Sequence, residues 1–252
     1  MMPPLDMHAH IDPHAAPSEL VALRSCVVAV TRTLDEYATV RDRSDPSVVW
    51  GAGCHPGLVR EVKRFSTSRM REAVATTPVV GEVGLDGAAR TPMESQLAVL
   101  RGTLAVASES PRMLSLHSYR ATEILIREMQ EFRPAAAILH WWLGSRRETE
   151  AAVEAGAFFS VNASQAKKWN HLRLVPLERL LLETDHPFGD RSELQLRRPG
   201  HLLTSETIVS AAFNISPEEL RRQTWRNLKA ISVRLGLVEM FPHEFQVQFL
   251  AV

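Results

Sequence analysis

Eight apolar runs of strand length, spaced by segments with helical periodicity, constrain this chain more than any other feature. They lie at 5–10, 25–31, 48–53, 78–83, 112–117, 135–140, 156–161 and 180–185. Helices are expected at 17–24, 34–43, around 66–76, and at 93–108, 121–132, 145–155, 202–213 and 216–235. The last opens Ser216-Pro217-Glu218-Glu219, with a capping serine, proline at the first helical position and acids in the first turn. Strands without polar alternation are buried on both faces, as a parallel sheet requires. Eight of them separated by helices fill a closed (β/α)8 barrel of the TIM type, and a doubly wound open sheet is the alternative. The length of 252 residues suits one such α/β unit. No repeat or linker divides the chain, so 1–252 reads as one domain. The apolar tail 238–252 is expected to dock on the barrel, with binding to a partner as the other reading.

Charge narrows the function classes. The formal net charge is zero, which argues against broad, sequence-independent attraction to duplex DNA. A local cationic cleft remains open, because the positive charge is mostly arginine and only Lys63, Lys167, Lys168 and Lys229 are lysines. Cys26 and Cys54 form no Cys-x-x-Cys pair, so neither a disulfide framework nor a zinc knuckle is expected. With no leader-like or membrane-length apolar run, the expectation is a soluble, cytoplasmic protein.

The strand ends carry the chemistry. His8 and His10 are two apart on the first strand and point to one face, with Asp6 below them. His55 follows the third strand in Gly53-Cys54-His55-Pro56, and Glu82 ends the fourth in Gly81-Glu82-Val83-Gly84-Leu85-Asp86. His117, His140 and Asp185 end the fifth, sixth and eighth. Each has an ordinary explanation alone: a satisfied polar histidine, an exposed turn glutamate, a turn aspartate before Pro187. Those explanations give no reason for all of them to fall at one end of successive strands. In a parallel barrel those ends gather on the face that bears active sites. Four histidines and two carboxylates suffice for two divalent ions with one carboxylate bridging.

These segments, with Leu116-His117-Ser118-Tyr119-Arg120-Ala121, His140-Trp141-Trp142-Leu143-Gly144 and Glu183-Thr184-Asp185-His186-Pro187, resemble the ordered motifs of the TatD family. Those proteins are metal-dependent hydrolases of the amidohydrolase superfamily with a (β/α)8 barrel, mostly nucleases. The resemblance implies one ion held by His8, His10 and Asp185, and a second held by His117 and His140, with Glu82 bridging. It places His55 at the substrate phosphate. Arg120 stands one position later than the family's usual phosphate-contacting arginine. The loop after Asp86 is shorter than usual, and Arg90 is the candidate to replace its substrate contacts. Trp141-Trp142 replaces a common Cys-Phe or Ser-Phe pair; Trp141 either packs at the rim or stacks a base. The short loop, the Gly-Leu-Asp-Gly run and the His-Trp-Trp-x-Gly-Ser segment also resemble a TatD-like subgroup of Qat-type anti-phage cassettes. That likeness implies antiviral defence and partner proteins encoded beside it.

The expected activity is hydrolysis of phosphodiesters in DNA, on single strands or ends, with Asp185 and Glu82 catalytic and two Mg, Mn or Zn ions as cofactors. Two rivals remain: a metal-dependent esterase or deacylase, for example on aminoacyl-tRNA, and a non-catalytic nucleic-acid-binding subunit.

Overall fold

The computed structural model describes residues 2–189 and 197–252. Its strands are β1 (Leu5–Ala9), β2 (Cys26–Val30), β3 (Val48–Gly51), β4 (Val79–Gly84), β5 (Met113–His117), β6 (Ala136–His140), β7 (Phe158–Val161) and β8 (Leu180–Leu182). The helices are α1 (Pro17–Ala22), α2 (Leu34–Val40), α3 (Val59–Arg64), α4 (Thr67–Val74), α5 (Met93–Glu109), α6 (Thr122–Phe132), α7 (Arg146–Glu154), α8 (Ala163–Ala166), α9 (Leu203–Phe213), α10 (Pro217–Arg234) and α11 (His243–Ala251).

All neighbouring strands pair in parallel, in two ladders ordered β1-β2-β3 and β4-β5-β6-β7-β8. Backbone hydrogen bonds join the ladders at both seams. Between β3 and β4, Ala52 N–H donates to Val79 O (3.1 Å) and Gly81 N–H to Ala52 O (2.9 Å). Between β8 and β1, Asp185 N–H donates to His8 O and His10 N–H to His186 O, each at 2.8 Å. The architecture is a distorted (β/α)8 barrel. Its strands are buried almost throughout, as their lack of polar alternation predicts.

Two apolar clusters organise the interior. The larger lies between strands and surrounding helices, with Leu100, Leu104, Leu125 and Met129 against Leu114, Leu116 and Leu139. The smaller gathers the first residues of several strands (Leu5, Cys26, Val79, Met113 and Ala136) with Trp225, Leu228 and Ile231 of α10. Phe241, Phe245 and Phe249 complete it; the Phe245 ring meets Trp225 edge-on at 5.6 Å. The tail thus packs at the N-terminal end of the barrel, leaving the opposite mouth open. Phe245 is fully buried, so Phe245→Ala is expected to cost about 3–5 kcal/mol, measured by urea unfolding.

Local differences from expectation have local causes. Helix α3 has no side-chain N-cap, and α8 is a single turn capped by Asn162; neither leaves a periodic pattern. Strand β8 ends at Leu182, three residues short, and the segment beyond it turns at Asp185, whose backbone is left-handed (φ 44°).

Candidate metal centre

The site is built on the last residues of β1, β4, β5 and β6 and the turn after β8. On β5 Met113, Ser115 and His117 share one face, and on β6 Ala136, Ile138 and His140 do the same. The lower members of each row enter the apolar plug, and the upper ones reach the mouth. Glu82 lies at the centre. Gly53 lets β3 approach it: a Cβ there would stand 2.6 Å from Glu82 N and 1.8 Å from Thr31 O. Only hydrogen fits.

Glu82 is buried among five histidines. Its Oε1 lies 2.7 Å from His117 Nδ1, 2.8 Å from His140 Nε2 and 3.4 Å from His55 Nε2. Its Oε2 faces the other way, 3.4 Å from His10 Nε2 and 4.0 Å from His8 Nε2. Asp185 Oδ1 completes that side, 3.6 Å from His10 Nε2 and 3.8 Å from His8 Nε2. One carboxylate therefore looks towards two groups of nitrogens with opposite oxygens. Burial works to raise the Glu82 pKa, but His55, His140 and the bonds from His117 and His140 outweigh it and hold the group well below the carboxylate range. It is a buried anion at the floor of the site.

The donor set fits divalent ions. Donors about 2.1 Å from one ion lie roughly 3.0–3.4 Å from one another. His117 Nδ1 and His140 Nε2 are 3.1 Å apart, with Glu82 Oε1 beside both. His8, His10 and Asp185 form a second, slightly wider group, and His8, Glu82 and His140 a third that joins the two. His8 Nε2 and Glu82 Oε2 are buried without a hydrogen-bond partner, a costly state unless a cation takes them up. Among the described residues these overlapping groups form a two-metal-ion site sharing Glu82.

The ring nitrogens are sorted by their other contacts. His8 Nδ1 and Ser115 Oγ are hydrogen-bonded at 2.7 Å, an arrangement that leaves Nε2 facing the cluster. Burial and the neighbouring His140 push His8 well below its usual pKa, and burial chiefly pulls His10 down to about 4, so both rings are neutral, the form that can ligate. Burial also opposes charge on His117, yet hydrogen bonds to Asp86 and Glu82 raise it to about 9; an ion taken up at this ring would have to displace that proton. His55 behaves differently. Its Nδ1 accepts the Gly57 N–H at 2.9 Å, so its Nε2 carries the hydrogen and is a donor, although it stands within ligand distance of Glu82 and His117. Ser115→Ala is expected to weaken ion binding about 10–100-fold with the fold retained, read by metal titration.

A cavity of about 840 Å³ opens above the cluster. His55, Arg120 and Trp141 line it, as do Arg32 and Lys168, which sequence reasoning missed. Arg90 is exposed and lies outside the residues that line the cavity. Within the short loop, Gly87 N–H bonds Tyr119 O (2.7 Å), tying that loop to the turn after β5. The tryptophans divide: Trp142 is fully buried with its indole N–H on Thr149 Oγ1, while half-buried Trp141 faces the cavity. Arg120, Trp141 and Asp185 all hold left-handed backbones (φ 51°, 40° and 44°). Each such residue costs on the order of 1–3 kcal/mol, and such strain gathers at functional sites.

Two buried carboxylates support the ligands. Asp6 accepts from Thr184 N–H (2.9 Å), Thr184 Oγ1 (2.7 Å) and Gly200 N–H (2.7 Å), fixing the turn that presents Asp185. Burial raises its pKa to about 6 against those bonds. Glu183 accepts from Trp141 N–H, Asn162 Nδ2 and Ser160 Oγ behind His140, and burial raises it well above the carboxylate range. The sequence signal among these supports was Asp6, which shares the face of His8 and His10 on the first strand.

The profile of the TatD related DNase family matches residues 5–232. The 3'-5' ssDNA/RNA exonuclease TatD of Erwinia tasmaniensis is 30% identical over 169 residues, 62% of this chain and 65% of that protein. The human 3'-5' RNA nuclease TATDN2 is 30% identical over 155 residues, covering 56% of this chain and 20% of its own. The chain thus spans less than two thirds of the length of these relatives. Among solved structures, the TatD homologue YJJV of Escherichia coli superposes with a TM-score of 0.76 at 20% identity, covering 90% of this chain and 96% of that one, which shows a shared fold. With the profile matched from the first strand through most of α10, the chain belongs to the TatD related DNase family.

Proposed function

We propose that the protein hydrolyses phosphodiester bonds in nucleic acid, on single strands or strand ends. One observation carries the reading: Glu82 turns one oxygen to His117 and His140 and the other to His8 and His10, beneath a cavity lined by Arg32, Arg120 and Lys168. His8, His10 and Asp185 would hold one divalent ion and His117 with His140 the other, Glu82 bridging. Ions held there supply Lewis acidity and bring the pKa of water towards neutrality. A mixed imidazole and carboxylate shell suits Mg, Mn or Zn.

The chain's own residues do the remaining work. Asp185, buried at the edge of the cavity, is placed to take the proton of the attacking water. The fixed Nε2–H of His55 donates to a phosphoryl oxygen, and the cationic rim balances the charge that develops as the P–O bond breaks. Trp141 and Arg120 contribute substrate contacts. A chain with no net charge engages its substrate through this small rim rather than along a duplex. We further infer a cytoplasmic protein, a reading suited by two free buried thiols, and an anti-phage setting with operon partners from the Qat-like segments.

The test sets single-stranded DNA and RNA beside a simple carboxyl ester, with and without EDTA. The expected outcome is cleavage of nucleic acid that EDTA abolishes and added Mn or Mg restores. Turnover of the ester alone would move the assignment to a deacylase; nucleic-acid cleavage that survives EDTA and dialysis would remove the metal centre from it.

A further inference from the structure

Tyr119 and Phe188 are the only exposed aromatic side chains among the described residues, at 46% and 40% exposure, and both line the one cavity above the metal ligands. Exposing large aromatic surface in water is unfavourable, and the rest of the chain's aromatics are buried or half-buried. Their positions relative to the ligands are informative. The Phe188 ring stands edge-on to His10, centroids 5.7 Å apart, on the side of His8, His10 and Asp185. Tyr119 lies two residues past His117, on the side of the other group. Both rings line the cavity over the cluster in which Glu82 reaches His10 with one oxygen and His117 with the other. Arg120 places its guanidinium over the Tyr119 ring at 5.4 Å, coupling a flat apolar surface to a cation.

We propose that these rings are two nucleobase seats flanking the scissile phosphate: Phe188 stacks the base on one side and Tyr119 the base on the other. The inference rests on the nucleic-acid reading above and assigns its preference for single strands and ends to two named side chains. Aromatic seats are satisfied by unpaired bases, whose π-faces are free; in a duplex those faces are already stacked on neighbours. Arg120 and Lys168, in the same lining, supply the cations that the connecting phosphates need. A duplex is therefore accepted only where it frays. At a strand terminus, one seat holds the terminal nucleotide and the other its neighbour.

The test compares a labelled decathymidylate with the same strand carrying abasic residues around the scissile phosphate, in the Mn-loaded protein. Removing each base should raise KM about ten-fold. Tyr119→Ala and Phe188→Ala should each raise KM for the intact strand by a similar factor and lose the discrimination against one abasic position. Tyr119→Phe and Phe188→Tyr should retain it. Equal KM for intact and abasic strands, or unaltered discrimination in both alanine variants, overturns the seats while leaving phosphodiester hydrolysis standing. If neither strand is cleaved, the catalytic reading has failed separately. Anisotropy binding of the same strands in EDTA still reads the seats, and equal affinity for both overturns them.

Discussion

Glu82→Ala is expected to reduce kcat/KM on single-stranded DNA by about 10³-fold or more, equivalent to about 4 kcal/mol of transition-state stabilisation. The size follows from position. Among the described residues Glu82 is the one carboxylate within 4.0 Å of five imidazoles, and its two oxygens address both halves of the site. Its removal leaves each half with fewer donors and nothing to fix their separation. Bound metal should fall below two equivalents per chain with the far-ultraviolet circular dichroism unchanged. Glu82→Gln keeps the shape and removes the charge, so it should lose metal as well. Full activity in either variant would take the bridging role away from this residue.

Asp185→Asn should behave in a different way. The amide oxygen still coordinates, but the side chain no longer accepts the proton of the attacking water. Loss of a positioned general base is worth about 10²–10⁴-fold in kcat. Metal stoichiometry should fall much less than in the Glu82 variants, because His8 and His10 remain and Glu82 Oε2 still faces them. Together the two variants separate holding the ions from moving the proton. Equal metal loss in both would make Asp185 a ligand only.

Much of this was legible in the chain because the relevant signals are local. Near-continuous apolar runs state which segments are buried on both faces, and parallel pairing then gathers their ends. His8, His10, Glu82, His117 and His140 end such runs or directly follow them, so their convergence follows from topology. What was illegible depends on partners distant in sequence. Ser115 holds the His8 ring across 107 residues, and Thr184 and Gly200 lock Asp6 across 178 and 194. The Nε2 proton of His55 is set by a single backbone N–H two residues on, visible only once the turn is built. Arg90 stands outside the cavity lining, a placement that loop length alone does not reveal. Tyr119 and Phe188 gave no periodic signal at all. Their meaning lies in exposure, which only the assembled mouth defines.

The most direct test of the central claim is a metal titration of the metal-free wild-type protein, with cleavage of end-labelled single-stranded DNA followed at each point. Two divalent ions sharing Glu82 predict two bound equivalents per chain, with cleavage rising only as the second is taken up. Full cleavage at one equivalent, or undiminished cleavage with none, would contradict the account.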